Sequence, residues 1–148
     1  MASPSLLKSG EPESDMEGYL VDTNIWSALI RGNSPALLAR FAQLKPQQLF
    51  MSTIVYGELQ LKFQKNGRSP KRRQALDAVL AMTLPLSIDF QVATTYAQVR
   101  ASLEGQAIHL DPNDTWIAAE ALHHKLILVS DNGREFERVA GLKIENWL

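Results

Sequence analysis

The sequence predicts an α/β domain with a central parallel β-sheet flanked by helices on both faces. Short apolar runs alternate with segments of helical period, and each run is apolar throughout rather than at every second position. Strands that are buried on both faces have this pattern, and they occur in parallel sheets covered by helices. The length of 148 residues fits a single domain, and the absence of cysteine excludes disulfides, thiolate nucleophiles and cysteine-ligated metals.

The first half of the chain predicts a tail, two strands and three helices. Residues 1–18 are rich in Ser, Pro, Glu and Gly, so we expect a flexible N-terminal tail there and a folded domain at residues 19–148. Apolar runs predict strands at 19–21 and 49–51. Capping residues and breakers predict helices at 24–31 (ended by Gly32), from Ser34-Pro35 through Leu44, and from Ser52 or Thr53 to Asn66-Gly67.

The second half of the chain predicts four helices and three strands. Ser69-Pro70, Asp89 and Asp111-Pro112 each combine a capping residue with a helical pattern. The first opens a helix that runs through Leu80, and the other two open helices that end near Gly105 and His124. A weak strand is expected at 84–86, in an edge or terminal position because of its proline. The clearest strand covers 126–129, followed by a short helix at 134–139 and a last strand near 142–145.

Acidic and amide side chains follow two of the predicted strands. Asp22 ends the first strand, and Asp131 and Asn132 follow the clearest one. In open parallel sheets, sites form in the crevice beyond the carboxyl ends of the strands. Asp114 lies in the first turn of a helix, where the helix dipole favours a carboxylate. Glu58 lies in a mostly apolar helical segment and is the fourth candidate.

Each of these acids also has a purely structural interpretation. Asp22 can cap the following helix, Asp114 can complement the helix dipole, and Glu58 can lie on the exposed face of an amphipathic helix. If the carboxylates instead cluster, burying them without a partner would cost several kcal/mol, so they would require a cation. Oxygen donors without cysteine favour a hard ion such as Mg²⁺ or Mn²⁺.

Residues 62–73 carry six basic side chains and no acidic one. Such a stretch fits contacts with a nucleic-acid backbone, and it equally fits a solvated surface. No apolar run is long enough to cross a bilayer, and residues 1–18 lack the features of a secretory signal, so we expect a cytoplasmic protein. The basic residues are Lys62, Lys65, Arg68, Lys71, Arg72 and Arg73.

Four ordered motifs resemble those of a known family, the PIN domain. They are Leu20-Val21-Asp22-Thr23-Asn24, Ser52-Thr53-Ile54-Val55-Tyr56-Gly57-Glu58-Leu59, Pro112-Asn113-Asp114-Thr115-Trp116-Ile117-Ala118-Ala119 and Leu128-Val129-Ser130-Asp131-Asn132. The stretch after the last motif is similar to the VapC/FitB-like toxins of bacterial toxin–antitoxin pairs. The resemblance covers the chain from Tyr19 to Leu148.

The resemblance implies the toxin of a type II toxin–antitoxin system, an endoribonuclease that depends on Mg²⁺ or Mn²⁺. It implies hydrolysis of RNA by a metal-activated water, which leaves a 5′-phosphate and a 3′-hydroxyl. It also implies a VapB-like antitoxin partner, a homodimer, and contact with operator DNA only through the antitoxin. The implied catalytic residues are Asp22, Glu58, Asp114 and Asn132, with Asp22 and Asp114 as metal ligands, Thr23 and Ser130 as hydrogen-bonding support, and Asp131 as an alternative to Asn132.

Two other functions remain open from the sequence. One is a catalytically weak PIN-like binding module that acts with its antitoxin on operator DNA, and the other is a nuclease directed at DNA. The chain also departs from the family at Asp111, where relatives often have glycine. We interpret Asp111 as a helix cap rather than as a ligand of a second ion.

Overall fold

Five parallel strands form the centre of the molecule, as the sequence predicts. The computed structural model describes residues 17–148. Positions 1–16 of the predicted tail lie outside the described residues. The strands are β1 (Tyr19–Val21), β2 (Leu49–Ser52), β3 (Leu84–Leu86), β4 (Ile127–Val129) and β5 (Ile144–Glu145). Their order across the sheet is β3-β2-β1-β4-β5.

Helices connect the strands from β1 to β4. A helix of a single turn and a loop connect β4 to β5. The helices are α1 (Thr23–Arg31), α2 (Pro35–Ala42), α3 (Thr53–Lys65), α4 (Pro70–Ala81), α5 (Phe90–Gly105), α6 (Pro112–His123) and α7 (Gly133–Phe136), with a 3₁₀ turn at Pro46–Gln48. Between residues 17 and 148, no helix is both long enough and apolar enough to cross a membrane.

Side-chain caps start the helices where the sequence places them. Five predicted caps, together with Asp22, accept a hydrogen bond from a backbone N–H in the first turn of their helix, which satisfies a donor that has no partner inside the helix. The five are Ser34, Ser52, Ser69, Asp89 and Asp111. The alternative cap for α3, Thr53, is wrong, because Ser52 supplies the capping oxygen to Ile54.

The predicted helix at 134–139 is wrong in its second half. The helix α7 ends at Phe136, and the chain then tightens into a turn in which the Val139 N–H donates to the Phe136 carbonyl. Gly141 follows with a φ of 81°, a left-handed conformation that glycine adopts without a steric penalty. The last strand, predicted near 142–145, is only two residues long.

The core lies on both faces of the sheet. All three residues of β1 and all three of β4 are buried. Because successive side chains of a strand point to opposite faces, both faces of these central strands must be covered. The helices α5 and α6 pack along each other, and α1 contacts α3 and α4. At one edge, Leu84 of β3 is partly exposed next to Pro85, which fits the edge position predicted from the proline.

We predict that the central strand dominates the stability of the fold. The side chain of Leu20 is fully buried in β1, whereas Leu38 on α2 is 47% exposed. The substitution Leu20→Ala should lower the free energy of unfolding by about 3 kcal/mol, because it removes buried methyl groups and leaves a cavity. The matched change Leu38→Ala should cost under about 1 kcal/mol. Urea denaturation measures both values, and equal losses would contradict the assignment of the core.

Candidate active site

The candidate site lies at the carboxyl ends of the two central strands. β1 and β4 pair in parallel, with Tyr19 opposite Ile127 and Val21 opposite Val129. The two strands therefore end side by side, and the residues that follow them emerge at the same edge of the sheet. Asp22 follows β1 directly, and Ser130, the first residue after β4, is within hydrogen-bond distance of it.

Two helices bring the remaining acids to the same edge. α3 begins directly after β2 and carries Glu58 in its second turn, and α6 begins at the Asp111 cap and carries Asp114 in its first turn. Together these elements enclose a cleft of about 560 Å³. The cleft is lined by Asp22, Thr23, Asn24, Glu58, Leu61, Lys62, Lys65, Asp114, Asp131 and Asn132.

Asp22 is both a helix cap and a member of the cleft, so the two interpretations of this residue hold together. Its Oδ1 accepts a hydrogen bond from the Thr23 N–H at 2.8 Å, and its Oδ2 accepts one from the Ser130 hydroxyl at 3.0 Å. The Asp22 side chain is buried, with Ser130 buried beneath it. Each oxygen retains a lone pair that these hydrogen bonds do not use.

Glu58 is half-buried in the cleft, so the interpretation as a residue of an exposed helix face is wrong. The hydroxyl of Thr23 donates to its Oε1, and the side-chain amide of Asn113 donates to its Oε2 at 3.3 Å. These two donors come from the start of α1 and the start of α6. The orientation of the Glu58 carboxylate is therefore set by the two helices that also bring Asp22 and Asp114 to the cleft.

Ser130, Asp131 and Asn132 follow β4 and make different hydrogen bonds. Asp131 Oδ1 accepts a hydrogen bond from the Asn24 amide at 3.3 Å, and the Asn132 N–H donates to the Ser130 hydroxyl at 2.9 Å. Both Asp131 and Asn132 line the cleft, so the structure leaves both as candidates for the fourth position. Asp111 is a cap, as interpreted, because its Oδ1 accepts the N–H of Asn113 at 2.9 Å.

The pKa values of Asp22 and Asp114 are raised in the cleft. Burial is the main cause that raises the pKa of Asp22, and Glu58 and Asp131 add to it, while the hydrogen bonds from Thr23 and Ser130 oppose it. Burial also raises the pKa of Asp114 to about 7, with further contributions from Asp22, Asp111, Glu58 and Glu135. An excess of negative charge is thus held together in a partly desolvated cleft.

The donor set fits a hard divalent cation. Carboxylate, amide and hydroxyl oxygens surround the cleft, and in the described part of the chain no histidine lines it. Within residues 17–148, no three acidic or histidine side chains are arranged closely enough to form a ready-made metal cluster. Mg²⁺ is usually held by one or two carboxylates and keeps several waters, so the chemistry of the cleft side chains is compatible with this ion.

Four of the six predicted RNA-binding residues line one or both of two surfaces, and the other two line neither. Lys62 and Lys65 line the cleft beside the acids. Lys71 and Arg72, together with Lys62, line a separate groove of about 630 Å³ formed by α1, α3 and α4. Two side chains line neither, because Arg73 lies 4.5 Å over the ring of Phe63 and Arg68 is in the turn between α3 and α4.

Sequence reasoning missed two polar residues that hydrogen-bond to the acids, and one buried acid outside the cleft lining. Asn113 donates a hydrogen bond to Glu58, and Asn24 donates one to Asp131. Both asparagines lie in the family motifs, but the sequence alone indicates no role for them. Glu120 of α6 is fully buried and hydrogen-bonded to Ser52. An available signal for Glu120 was its position in the run Ile117-Ala118-Ala119-Glu120-Ala121, where an acid interrupts a buried apolar face.

Comparison with known proteins points to one family. The family model described as PIN domain matches residues 19–142. The chain is 33% identical to ribonuclease VapC2 of Haemophilus influenzae over 130 residues, which are 88% of this chain and 98% of that protein. It is 32% identical to the tRNA(fMet)-specific endonuclease VapC of Shigella flexneri over 129 residues, 87% of this chain and 97% of that one.

A solved structure with similar geometry belongs to the same group of proteins. A chain in the crystal structure of VapBC2 from Rickettsia felis, bound to a DNA fragment from their promoter, superposes with a TM-score of 0.82. That chain is 27% identical to this one, and the match covers 88% of this chain and 98% of the other. The parallel sheet and its helices are therefore those of the PIN-like fold.

We predict that the repulsion in the cleft is measurable as a pH-dependent loss of stability in metal-free protein. The pKa of Asp114 is about 7 in the folded state and near 3.8 in a solvated chain, so the folded protein loses stability as the pH rises between these values. Asp114→Asn should raise the free energy of unfolding at pH 8 by on the order of 2 kcal/mol, and change it little at pH 4.

Urea denaturation in EDTA at several pH values tests this prediction. Asp77→Asn is the matched control, because Asp77 is an exposed acid on α4 outside the cleft and its side chain is 61% exposed. The control should show no pH-dependent gain. A gain from Asp114→Asn that is the same at pH 4 and pH 8 would contradict the raised pKa.

Proposed function

The chain belongs to the PIN-domain family, within its VapC/FitB-like group, and we propose that it is a toxin endoribonuclease that depends on Mg²⁺ or Mn²⁺. The observation that carries this proposal is the meeting of Asp22, Glu58, Asp114 and Asn132 in one cleft. These residues are separated by 36, 56 and 18 positions in the sequence, and they come from four different elements. Local structure alone gives no reason for them to meet.

Asp22 and Asp114 are the residues that would hold the cation. When bound, the cation would neutralise phosphate oxygens and lower the pKa of a coordinated water, so that water can attack phosphorus near neutral pH. The raised pKa of Asp114 supports this role, because a carboxylate destabilised by its neighbours gains most from a nearby positive charge. Ser130 and the Thr23 N–H keep the Asp22 carboxylate in a fixed orientation.

Glu58 would orient the attacking water. Both of its oxygens are engaged by donors, Thr23 on one side and Asn113 on the other, so the carboxylate has a defined direction in the cleft. A carboxylate held in this way can accept a hydrogen bond from water through its remaining lone pairs. Because water rather than the ribose 2′-hydroxyl is the nucleophile, the products carry a 5′-phosphate and a 3′-hydroxyl.

The proposal includes partners. The relatives named VapC are ribonucleases, and the Rickettsia felis structure contains VapB and VapC with promoter DNA. By this similarity we propose that the chain is neutralised by a VapB-like antitoxin, that it reaches operator DNA only through that antitoxin, and that it forms a homodimer. Its substrate would be RNA, since the Shigella flexneri relative is named as a tRNA(fMet)-specific endonuclease.

We predict that Asp114→Asn abolishes RNA cleavage in the presence of Mg²⁺. The loss should be at least roughly 100-fold, since removal of a metal ligand costs no less than removal of a group that supports one. Expression of the wild-type chain without antitoxin should arrest growth, and Asp114→Asn should relieve the arrest. The measurements are the cleavage rate of purified protein on cellular RNA and the growth curve after induction.

The control Asp77→Asn should cleave RNA at the wild-type rate, because Asp77 lies on α4 outside the cleft. Equal cleavage by the wild type and Asp114→Asn would refute the assigned site. If calorimetry detects no Mn²⁺ binding and no RNA is cut, the chain is a binding module that acts with its antitoxin on operator DNA. Cleavage of DNA in preference to RNA would make it a nuclease directed at DNA.

We predict that Lys62 and Lys65 supply phosphate contacts at the cleft. In an inactive Asp114→Asn background, Lys62→Gln with Lys65→Gln should weaken single-stranded RNA binding. The slope of log affinity against log salt concentration should fall by about 1.4, since each lost phosphate contact contributes about 0.7 for a single strand. Fluorescence anisotropy at several salt concentrations measures the slope.

The matched control removes the same charge elsewhere. Lys125 and Lys143 are exposed and line neither the cleft nor the groove. The double change Lys125→Gln with Lys143→Gln should leave the slope within about 0.5 of its starting value. Equal reductions in both double variants would mean that general charge, rather than the two cleft lysines, holds the RNA.

A further inference from the structure

A buried carboxyl group outside the lining of the cleft takes no part in the chemistry described above. The side chain of Glu120 is fully buried on α6, next to Ala119 and Ala121, which are buried as well. Its Oε1 accepts a hydrogen bond of 2.5 Å from the hydroxyl of Ser52. Its Oε2 is buried and has no hydrogen-bond partner among residues 17–148.

The hydroxyl group of Ser52 makes hydrogen bonds to two helices at once. The oxygen caps α3 by accepting the Ile54 N–H at 3.0 Å, and the hydroxyl hydrogen is donated to Glu120 on α6. Ser52 is also the last residue of β2 and is fully buried. A hydroxyl has one donor, so the hydrogen bond to Glu120 uses the only one that Ser52 has. The start of α3 is thereby tied to the last turn of α6.

The hydrogen bond between Ser52 and Glu120, which we call the tie, lies at the same sequence distance from two acids of the cleft. Glu58 is six residues beyond Ser52 along α3, and Asp114 is six residues before Glu120 along α6. Six residues of helix rise about 9 Å, so a small shift of either helix at the tie would be carried to the acid. We propose that Glu120 is a positioning residue that, through Ser52, fixes α3 against α6 and so sets the separation of Glu58 and Asp114.

The cost of burying Glu120 supports a role beyond packing. A carboxyl group with one oxygen unpartnered among apolar neighbours is expensive, and an apolar side chain of similar size would avoid that cost. Burial raises the pKa of Glu120 to about 7, so the neutral form is favoured over much of the accessible pH range. A hydrogen-bonded polar group has a directional preference that an apolar contact lacks, and it specifies how two helices are aligned.

Two substitutions separate alignment from stability. Glu120→Gln keeps an oxygen for the Ser52 hydroxyl and resembles the neutral carboxyl group, whereas Glu120→Leu keeps the approximate volume and removes the acceptor. Ile117→Val is the control for a mild packing change on the same helix, because Ile117 is fully buried and makes no side-chain hydrogen bond. All measurements use the full chain.

Mn²⁺ affinity by calorimetry and the kinetics of RNA cleavage are the first readouts, and thermal unfolding is followed in parallel. Glu120→Leu should weaken Mn²⁺ binding and lower kcat by about tenfold or more, as loss of a group that positions metal ligands does. Its thermal stability should stay close to that of the wild type. The gain from removing the unsatisfied carboxyl oxygen is offset by the Ser52 hydroxyl, which loses its acceptor. Glu120→Gln and Ile117→Val should stay within about twofold of the wild type in Mn²⁺ affinity and kcat.

Amide hydrogen exchange on metal-free protein gives a readout that does not depend on the proposed function. Glu120→Leu should accelerate exchange of the Ile54 amide by about tenfold, and Glu120→Gln should not. If the wild type neither binds Mn²⁺ nor cleaves RNA, the proposed function fails while this comparison still decides the role of Glu120. Wild-type exchange in Glu120→Leu, or wild-type Mn²⁺ affinity and kcat in that variant, would overturn the proposal.

Discussion

Mutual repulsion among carboxylates is the constraint on which the rest of this structure depends. Parallel pairing of β1 with β4 brings Asp22 next to the residues that follow β4, and the starts of α3 and α6 add two more acids to the same cleft. Partial burial strengthens the repulsion, because it removes the water that would otherwise screen the charges. The fold holds these groups together only because the helices and strands around them are anchored in a core that covers both faces of the sheet.

Neutral donors reduce this repulsion without removing the negative charge. Thr23 and Ser130 donate to Asp22 or Glu58, and Asn113 completes the set around Glu58. These hydrogen bonds fix the direction of each carboxylate as well as lowering its energy, so the cleft is organised before any ligand binds. The arrangement leaves the net charge available to a cation, which is the property that the proposed function requires.

The strands and the helix starts could be predicted from sequence because their signals are local. A few residues are enough to recognise a cap such as Ser69 followed by Pro70, or a wholly apolar run such as 127–129. Asp22 and Asn132 could be predicted as site residues because each follows a recognisable strand. The end of α7 was mispredicted because the turn after Phe136 depends on tertiary packing and on the left-handed conformation of Gly141.

Sequence reasoning was weaker where function depends on the relative placement of helices. Glu58 had two interpretations, since its helical segment has no clear polar face, and only the donors from α1 and α6 decide between them. The basic stretch is continuous in sequence, but its residues do not share one surface. The chain turns between α3 and α4, so of the six only the two lysines of α3 reach the cleft.

The surroundings of the acids also depend on the relative placement of the helices. Hydrogen bonds partly compensate the charge of Asp22, whereas the burial and neighbouring charges that act on Asp114 all raise its pKa. Under the proposed function, stability and activity therefore oppose each other at Asp114, as expected where a fold keeps a destabilising group for its chemistry.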